Sequence, residues 1–324
     1  MRRSGQKTKG DAQPLLGTKL LRVGTRGSPL ALAQARQVAA ELQLVHGLPD
    51  SAIEIVVIKT VADSVLDRPL SEIGGKGLFT KEIEEALLDG RIDLAVHSMK
   101  DVATALPDGL VIDCLLPRED PRDAFLSPVA RSLKDLPKGA RVGTSSLRRQ
   151  AQVKALRPDL EVVPFRGNID TRAEKLAAGA AEATFLALAG LNRMGRSGDA
   201  TAVLAPEEMM PAVAQGAIGI ERRAGDEALA AALRPLNHAA TGYCVSAERA
   251  FLKVLDGSCR TPIAALAMLD GDSLWLRGLI LTPDGAQIVK TERTGAVTDA
   301  VALGTEAGRE VRSRAGPEFF TGGV

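Results

Sequence analysis

The chain has 324 residues, enough for two or three domains. Hydrophobic residues make up 45% and charged residues 25%, with 41 basic against 40 acidic side chains, so nothing in the balance points to nucleic acid or a membrane surface as a partner. Three cysteines, Cys114, Cys244 and Cys259, stand far apart without C-x-x-C spacing, which excludes a disulfide framework and suits a reducing, cytoplasmic compartment.

The start, MRRSGQKTKGDAQPLL, is basic but lacks the apolar core of a signal peptide, and residues 1–17 read as a disordered tail. LRVGT (21–25) predicts the first strand. After a turn at Arg26 and Gly27, Ser28 caps a helix with Pro29 at its first position, running through ALAQARQVAAELQLV. IEIVVI (53–58) predicts a strand, GLFTKEIEEALLDG (77–90) a helix and IDLAVHS (92–98) a strand again, so the sheet should be largely parallel. A second unit begins after LPREDPRD (116–123), with strands expected at DAFLS, ARVGTS, LEVVPF and ATFLALA, separated by helices. Its strand, SSL turn and RRQAQVKAL helix repeat the opening of the first unit, and ligands of two such units bind in the cleft between them. The third segment opens with the helical CVSAERAFLKVL (244–255). DGSCRTP follows, then antiparallel strands at AALAML, LWLRGLIL and AQIVKTERT with TPDG as a turn, and a last helix over 298–313.

Basic side chains gather at predicted turns and helix starts: Arg26, Lys76, Arg148, Arg149, Arg166, Arg172 and Arg193. Taken singly each reads as a solvated surface residue; grouped on the turns of two similar units they suit a ligand with several acidic groups. GGKGLFTKE (74–82) lacks phosphate-loop spacing and reads as a mobile Gly-rich loop carrying Lys76. At the end of IDLAVHS, Lys100 and Asp101 make either an acid–base position or a structural ion pair or cap. His97 reads as a hydrogen-bonded, half-buried imidazole, and three scattered histidines support no metal site. Cys114, in VIDCLL, and Cys244 read as core. Cys259 has three readings: core residue, metal ligand or nucleophile. Its Gly, Ser, Arg and Pro neighbours argue against the first and the lack of partners against the second. Arg260 favours a thiolate, although no histidine lies close in sequence.

Together VGTRGSPLALAQA, IKTVADSVLDRPLSEIGGKGLFTKEIEEALL, AVHSMKDV, VGTSSLRRQAQ, FRGNIDTR, LAGLNRMG, PAVAQGAIGIE and AERAFLKVLDGSCRTPIAA resemble, in order, the porphobilinogen deaminase (hydroxymethylbilane synthase) family over roughly residues 20–267. The resemblance implies an α/β protein of three domains: two periplasmic-binding-protein-like lobes, residues 18–116 with 214–236 and residues 117–213, and a smaller α+β C-terminal domain, residues 237–324, with an antiparallel sheet. It implies a monomeric, cytoplasmic transferase that condenses four porphobilinogen molecules head to tail on a covalent dipyrromethane, releases ammonia at each step and hydrolyses off hydroxymethylbilane. The dipyrromethane would be joined through Cys259. Asp101 would stabilise the methylene-pyrrolenine cation and move protons, and Lys100 would support the cofactor's acidic groups. Arg26, Ser28, Lys76, Ser146, Arg148, Arg149, Arg166, Arg172 and Arg193 would hold acetate and propionate side groups, with Gln215 lining the cleft. Ala62, Ala103, Ser258 and the AEATF stretch depart from the family's usual glycine, proline, glycine and Y-D-A-I, but none removes a charged or nucleophilic group. The rival readings are a two-lobed anion-binding or effector protein, which needs neither Cys259 nor Asp101, and a weakened homologue.

Overall fold

The computed structural model describes residues 20–60, 77, 79–255 and 261–321. The N-terminal tail expected over 1–17, and positions 62 and 258, lie outside them. In the first unit, β1 (Leu21–Thr25) leads into α1 (Pro29–His46). The Ser28 hydroxyl accepts from Ala31 N at 3.3 Å, and Gly47, at φ 62°, ends the helix in the left-handed region. Then come β2 (Ile53–Val57), α2 (Lys81–Leu88), β3 (Leu94–Ser98) and β4 (Leu110–Leu115). Helix α2 starts four residues later than its sequence period suggests, after a turn in which Gly77 sits at φ 82° and the N-cap Thr80 at φ −124°.

The second unit contains β5 (Asp123–Leu126), β6 (Arg141–Gly143), α3 (Leu147–Leu156), β7 (Glu161–Val163), α4 (Ile169–Ala177), β8 (Ala183–Ala187), α5 (Leu188–Arg193) and β9 (Ala202–Val203). The chain then returns to the first unit as β10 (Ile218–Arg223), followed by α6 (Glu227–Leu233).

The two sheets share one plan, with strand orders β2-β1-β3-β10-β4 and β7-β6-β8-β5-β9. In each the first three strands are parallel and the fourth, β10 or β5, runs against both neighbours. The expected largely parallel sheets are therefore mixed, each with one reversed strand. Register explains the reversal: Asp123 opens β5 opposite Ala187 at the end of β8, and Ile218 opens β10 opposite Ser98 at the end of β3. Each reversed strand begins where a connection from the other unit arrives. Those connections, residues 116–122 and 204–217, lie side by side, with Glu119 N donating to Gly216 O at 3.2 Å. Gly216 has φ 90°, and a Cβ there would come within 2.3 Å of Glu119 O.

The third segment is α7 (Ala239–Leu255), the antiparallel meander β11 (Ile263–Asp270), β12 (Ser273–Leu281) and β13 (Ile288–Ala296), and α8 (Ala300–Ala315). Its strands alternate faces with period two. Ala265, Ala267, Leu274, Leu276 and Ile280 pack with Val245, Phe251, Ala307 and Val311 of α7 and α8, in a core that also takes in Met99 and Val102 of the first unit. Ala264, Leu266, Leu279 and Leu281 pack on Ala151 of α3 and on Met210. The sheet is thus held between its own helices and the second unit. The TPDG turn presses on α3, where a Cβ at Gly285 would lie 2.4 Å from Ala151 O.

At the junction Glu248 of α7, fully buried, gathers all three parts. It accepts from Arg118 Nη1 at 2.6 Å and Nη2 at 3.1 Å, from Ala214 N at 2.6 Å and from Ala267 N at 2.8 Å. Ala214 carries this bond at φ 58°, a left-handed conformation unusual for alanine.

Candidate active site

The basic residues picked out by sequence lie where parallel strands end, the edge at which ligands of such sheets bind. Arg26 and Ser28 follow β1, Lys100 and Asp101 follow β3, and Ser146, Arg148 and Arg149 follow β6. Arg166 and Arg172 follow β7, on the approach to α4 and in its first turns. Arg193 follows β8 but closes α5 instead of opening a helix. Ser146 caps α3 by accepting from Arg149 N at 3.4 Å, the counterpart of Ser28 on α1. Arg26 lies over the Phe79 ring at 4.5 Å.

Arg148 and Arg149 are not the solvated arginines their turn composition suggested: each is 6% exposed. The reason is Asp123, fully buried at the start of β5. It accepts from Arg148 Nη2 at 2.8 Å, from Arg149 Nη2 at 2.8 Å and from Arg149 Nε at 3.3 Å. Backbone carbonyls complete the setting, with Arg148 Nη1 donating to Met210 O at 2.6 Å and Arg149 Nη1 to Phe185 O at 2.9 Å. Burial alone would push the Asp123 carboxyl upward. The charges of Arg148 and Arg149, with hydrogen bonds from Arg149 and Gln215, hold it well below the usual carboxylate range.

Gln215 is buried behind this group instead of lining the cleft. Its Nε2 donates to Asp123 Oδ1 at 2.8 Å and to Pro121 O at 2.7 Å, so it supports the arginines from the second connection. Arg193 is tied to the same connection through Nη2 to Gly216 O at 2.7 Å.

Lys100 and Asp101 form a 3-10 turn with Met99 directly after β3. The Lys100 side chain is exposed, yet desolvation by the surrounding protein lowers its pKa. Asp101 and Asp123 oppose that shift while Arg149 and Arg148 reinforce it, so the end of β3 in one unit and the end of β6 in the other share one electrostatic environment. Arg172 extends it. Desolvation, then the charges of Arg149 and Arg166, push its guanidinium down to about 10; it stays cationic at neutral pH, and among the described residues it forms no ion pair. A partly buried cation crowded by like charges is relieved by an anion. Carboxylate-bearing pyrroles, and a dipyrromethane among them, fit that chemistry.

Lys76 and Cys259 lie outside the described residues. His97 is buried more fully than expected, 2.9 Å from Glu221 Oε2. Cys114 and Cys244 are buried, as their flanks implied.

Comparison with known proteins bears directly on this cleft. A family model described as "Porphobilinogen deaminase, dipyromethane cofactor binding domain" matches residues 21–231, and one described as "Porphobilinogen deaminase, C-terminal domain" matches residues 242–313. The chain belongs to the porphobilinogen deaminase family. A protein of Paracoccus denitrificans named porphobilinogen deaminase is 58% identical over 300 residues, covering 93% of this chain and 96% of that one. Its namesake in Nitrobacter hamburgensis is 56% identical over 302 residues, again covering 93% and 96%. Among solved structures, the BvgS VFT2 domain of Bordetella pertussis is 16% identical, covers 66% of this chain and 84% of its own, and has a TM-score of 0.39, too low to support any inference.

The activity is that of the family: a transferase that condenses four porphobilinogen molecules head to tail on a dipyrromethane, releases ammonia and frees hydroxymethylbilane for tetrapyrrole biosynthesis. Among the described residues no helix is long and apolar enough to cross a membrane.

Proposed function

We propose that the cleft between the two sheet units is where this condensation occurs, with Asp101 as its acid–base group and Cys259 as the point of attachment for the dipyrromethane. The observation that carries the reading is placement: Lys100 and Asp101 beyond the end of β3, and Arg148, Arg149 and Arg172 beyond the ends of β6 and β7, all lie at the carboxyl ends of parallel strands, with Arg148 and Arg149 near enough to act on Lys100.

When bound, the dipyrromethane supplies the terminal pyrrole carbon to which each new unit is added. The chain's own residues do the rest. A guanidinium carries five N–H donors, and its rigid fork matches a carboxylate. Internal bonds use two donors of Arg148 and three of Arg149, leaving others for acetate or propionate groups. Arg172, Arg166, Arg193 and Arg26 extend this basic lining, the family's motif gives Lys76 the same role, and Lys100 neutralises acidic groups next to Asp101. Ser28 and Ser146 fix the helix starts that present backbone N–H groups. As ammonia leaves porphobilinogen, positive charge spreads over the substrate's pyrrole; the Asp101 carboxylate stabilises it and accepts the proton displaced from the carbon to which the new carbon–carbon bond is made.

The lobes are residues 18–116 with 214–236 and residues 117–213, and residues 237–324 form the cofactor-anchoring domain. The protein acts as a cytoplasmic monomer.

Intact-protein mass spectrometry of chain made in a porphobilinogen-producing host tests the attachment: a dipyrromethane mass increment is expected and should vanish in Cys259→Ala. Asp101→Ala should abolish turnover and leave the fold intact. An unmodified wild-type chain overturns the attachment, and normal turnover by Asp101→Ala overturns the assigned chemistry.

A further inference from the structure

Arg249 belongs to α7 in the third segment, yet its guanidinium serves the first unit. Nη1 donates to Val102 O at 3.0 Å and Nη2 to Ala103 O at 2.6 Å, the two carbonyls immediately after Asp101. Among the described residues no carboxylate pairs with it, and desolvation lowers its pKa. A desolvated cation is ordinarily matched by an anion. Here it is committed to the backbone of one short turn instead.

That turn is also held on its other side. Met99 N donates to Ala217 O at 3.0 Å, and the Met99 and Val102 side chains enter the core that contains Val245 and Phe251 of α7. The carboxylate of Asp101 therefore belongs to a turn fixed before it by Ala217, the residue that leads into β10, and after it by α7. Helix α7 continues only six residues beyond Arg249, to Leu255, so a rigid rod of about 9 Å at 1.5 Å per residue links this grip to the end of the helix.

We propose that Arg249 is a positioning residue for Asp101: it sets the backbone after the carboxylate against α7 and touches neither substrate nor cofactor. The inference rests on the reading of Asp101 as the acid–base group. The backbone offers an independent way to supply the same restraint. Val102 has φ −88° and ψ 129°, the extended geometry favoured before proline, and the Ala103 N–H donates no hydrogen bond among the described residues. A proline at 103 would stiffen the turn without forfeiting a donor.

The test compares Arg249→Gln, Ala103→Pro and the double variant as full-length holoprotein, measuring kcat and KM for porphobilinogen, dipyrromethane content by intact mass, and Tm. Arg249→Gln should keep the dipyrromethane and a KM within about twofold while kcat falls about 10- to 100-fold, the scale of a misplaced catalytic group. Ala103→Pro alone should turn over like wild type, and in the double variant it should restore at least a fewfold of the lost kcat. A merely structural role would lower Tm with kcat per folded molecule unchanged. Wild-type kcat in Arg249→Gln, or a loss that proline does not relieve, overturns the proposal. If the glutamine variant does not accumulate as folded protein, Arg249→Lys, which cannot span both carbonyls with a planar fork, is read by the same criteria. Normal turnover by Asp101→Ala would remove the underlying assignment; an inactive Asp101→Ala beside a normal Arg249→Gln removes only the positioning role.

Discussion

Asp123→Asn probes the assembly of the basic cleft. The side chain keeps its size and one acceptor oxygen but loses the charge that faces two buried guanidinium groups. In the native protein Asp123 accepts two bonds from Arg149, one from Arg148 and one from Gln215, with no solvent to replace them. Leaving a buried charge without its partner costs about 3–5 kcal/mol, and here two cations share one anion. At about 1.5 °C per kcal/mol for a chain of 324 residues, Tm should fall by about 4–7 °C. The pH dependence has a definite sign. A carboxylate whose pKa is depressed on folding contributes its stabilisation above the unfolded pKa, about 3.9, and loses it as pH falls through the native value. The deficit of the variant should therefore be constant from about pH 5 to 8 and shrink only below about pH 4. Thermal melts across that range, on samples with matched dipyrromethane content, read it out. A Tm within about 2 °C of wild type at pH 7 would mean that Arg148 and Arg149 reach water in solution, and would refute the buried triad.

Gly216→Ala forces a Cβ to within 2.3 Å of the Glu119 carbonyl at φ 90°, and should destabilise by at least about 1–3 kcal/mol in denaturant titrations; an unchanged midpoint contradicts the close approach of the two connections. Glu248→Ala leaves the Arg118 guanidinium and two backbone N–H groups without their buried acceptor, and limited proteolysis should show faster cleavage in 204–217, whereas a wild-type pattern would count against the junction. Burial pushes the Cys114 thiol up to about 12 and the Cys244 thiol up to about 11, so at pH 8 both should resist iodoacetamide until the protein unfolds, with peptide mapping as the readout.

Local signals carried much of this architecture. The Ser28-Pro29 start of α1, the β-branched run of β2 and the alternating strands of the C-terminal meander are each determined by neighbours in sequence, and each was readable. So was the repetition of the opening motif, which appears as two sheets with one strand order. The reversed strands were not legible, because their direction depends on a chain that leaves one sheet and returns about 100 residues later. For the same reason Arg148 and Arg149 looked like surface residues: the carboxylate that buries them lies about 25 residues upstream, at the head of DAFL. An aspartate opening an otherwise apolar strand was the available hint. Gln215 carried no local sign that it faces Asp123 instead of the cleft. Arg249 sits within an ordinary amphipathic helix, and only its contact 146 residues away distinguishes it.

The paired connections 116–122 and 204–217 also limit what movement is open to the two lobes. Bodies joined by two adjacent strands swing most readily about the line through those strands, and sliding apart would break both tethers. Glu248 adds a third attachment close to that line, where a swing displaces atoms least. The third segment, packed on Met99 and Val102 of one lobe and on Ala151 and Met210 of the other, bridges them as well, so an opening angle about that line is the displacement these links oppose least. Sliding the two sheets past one another to make room for a product that lengthens by one ring at a time would cost the Glu119–Gly216 bond and the Glu248 bonds together, whereas a change of that angle need not.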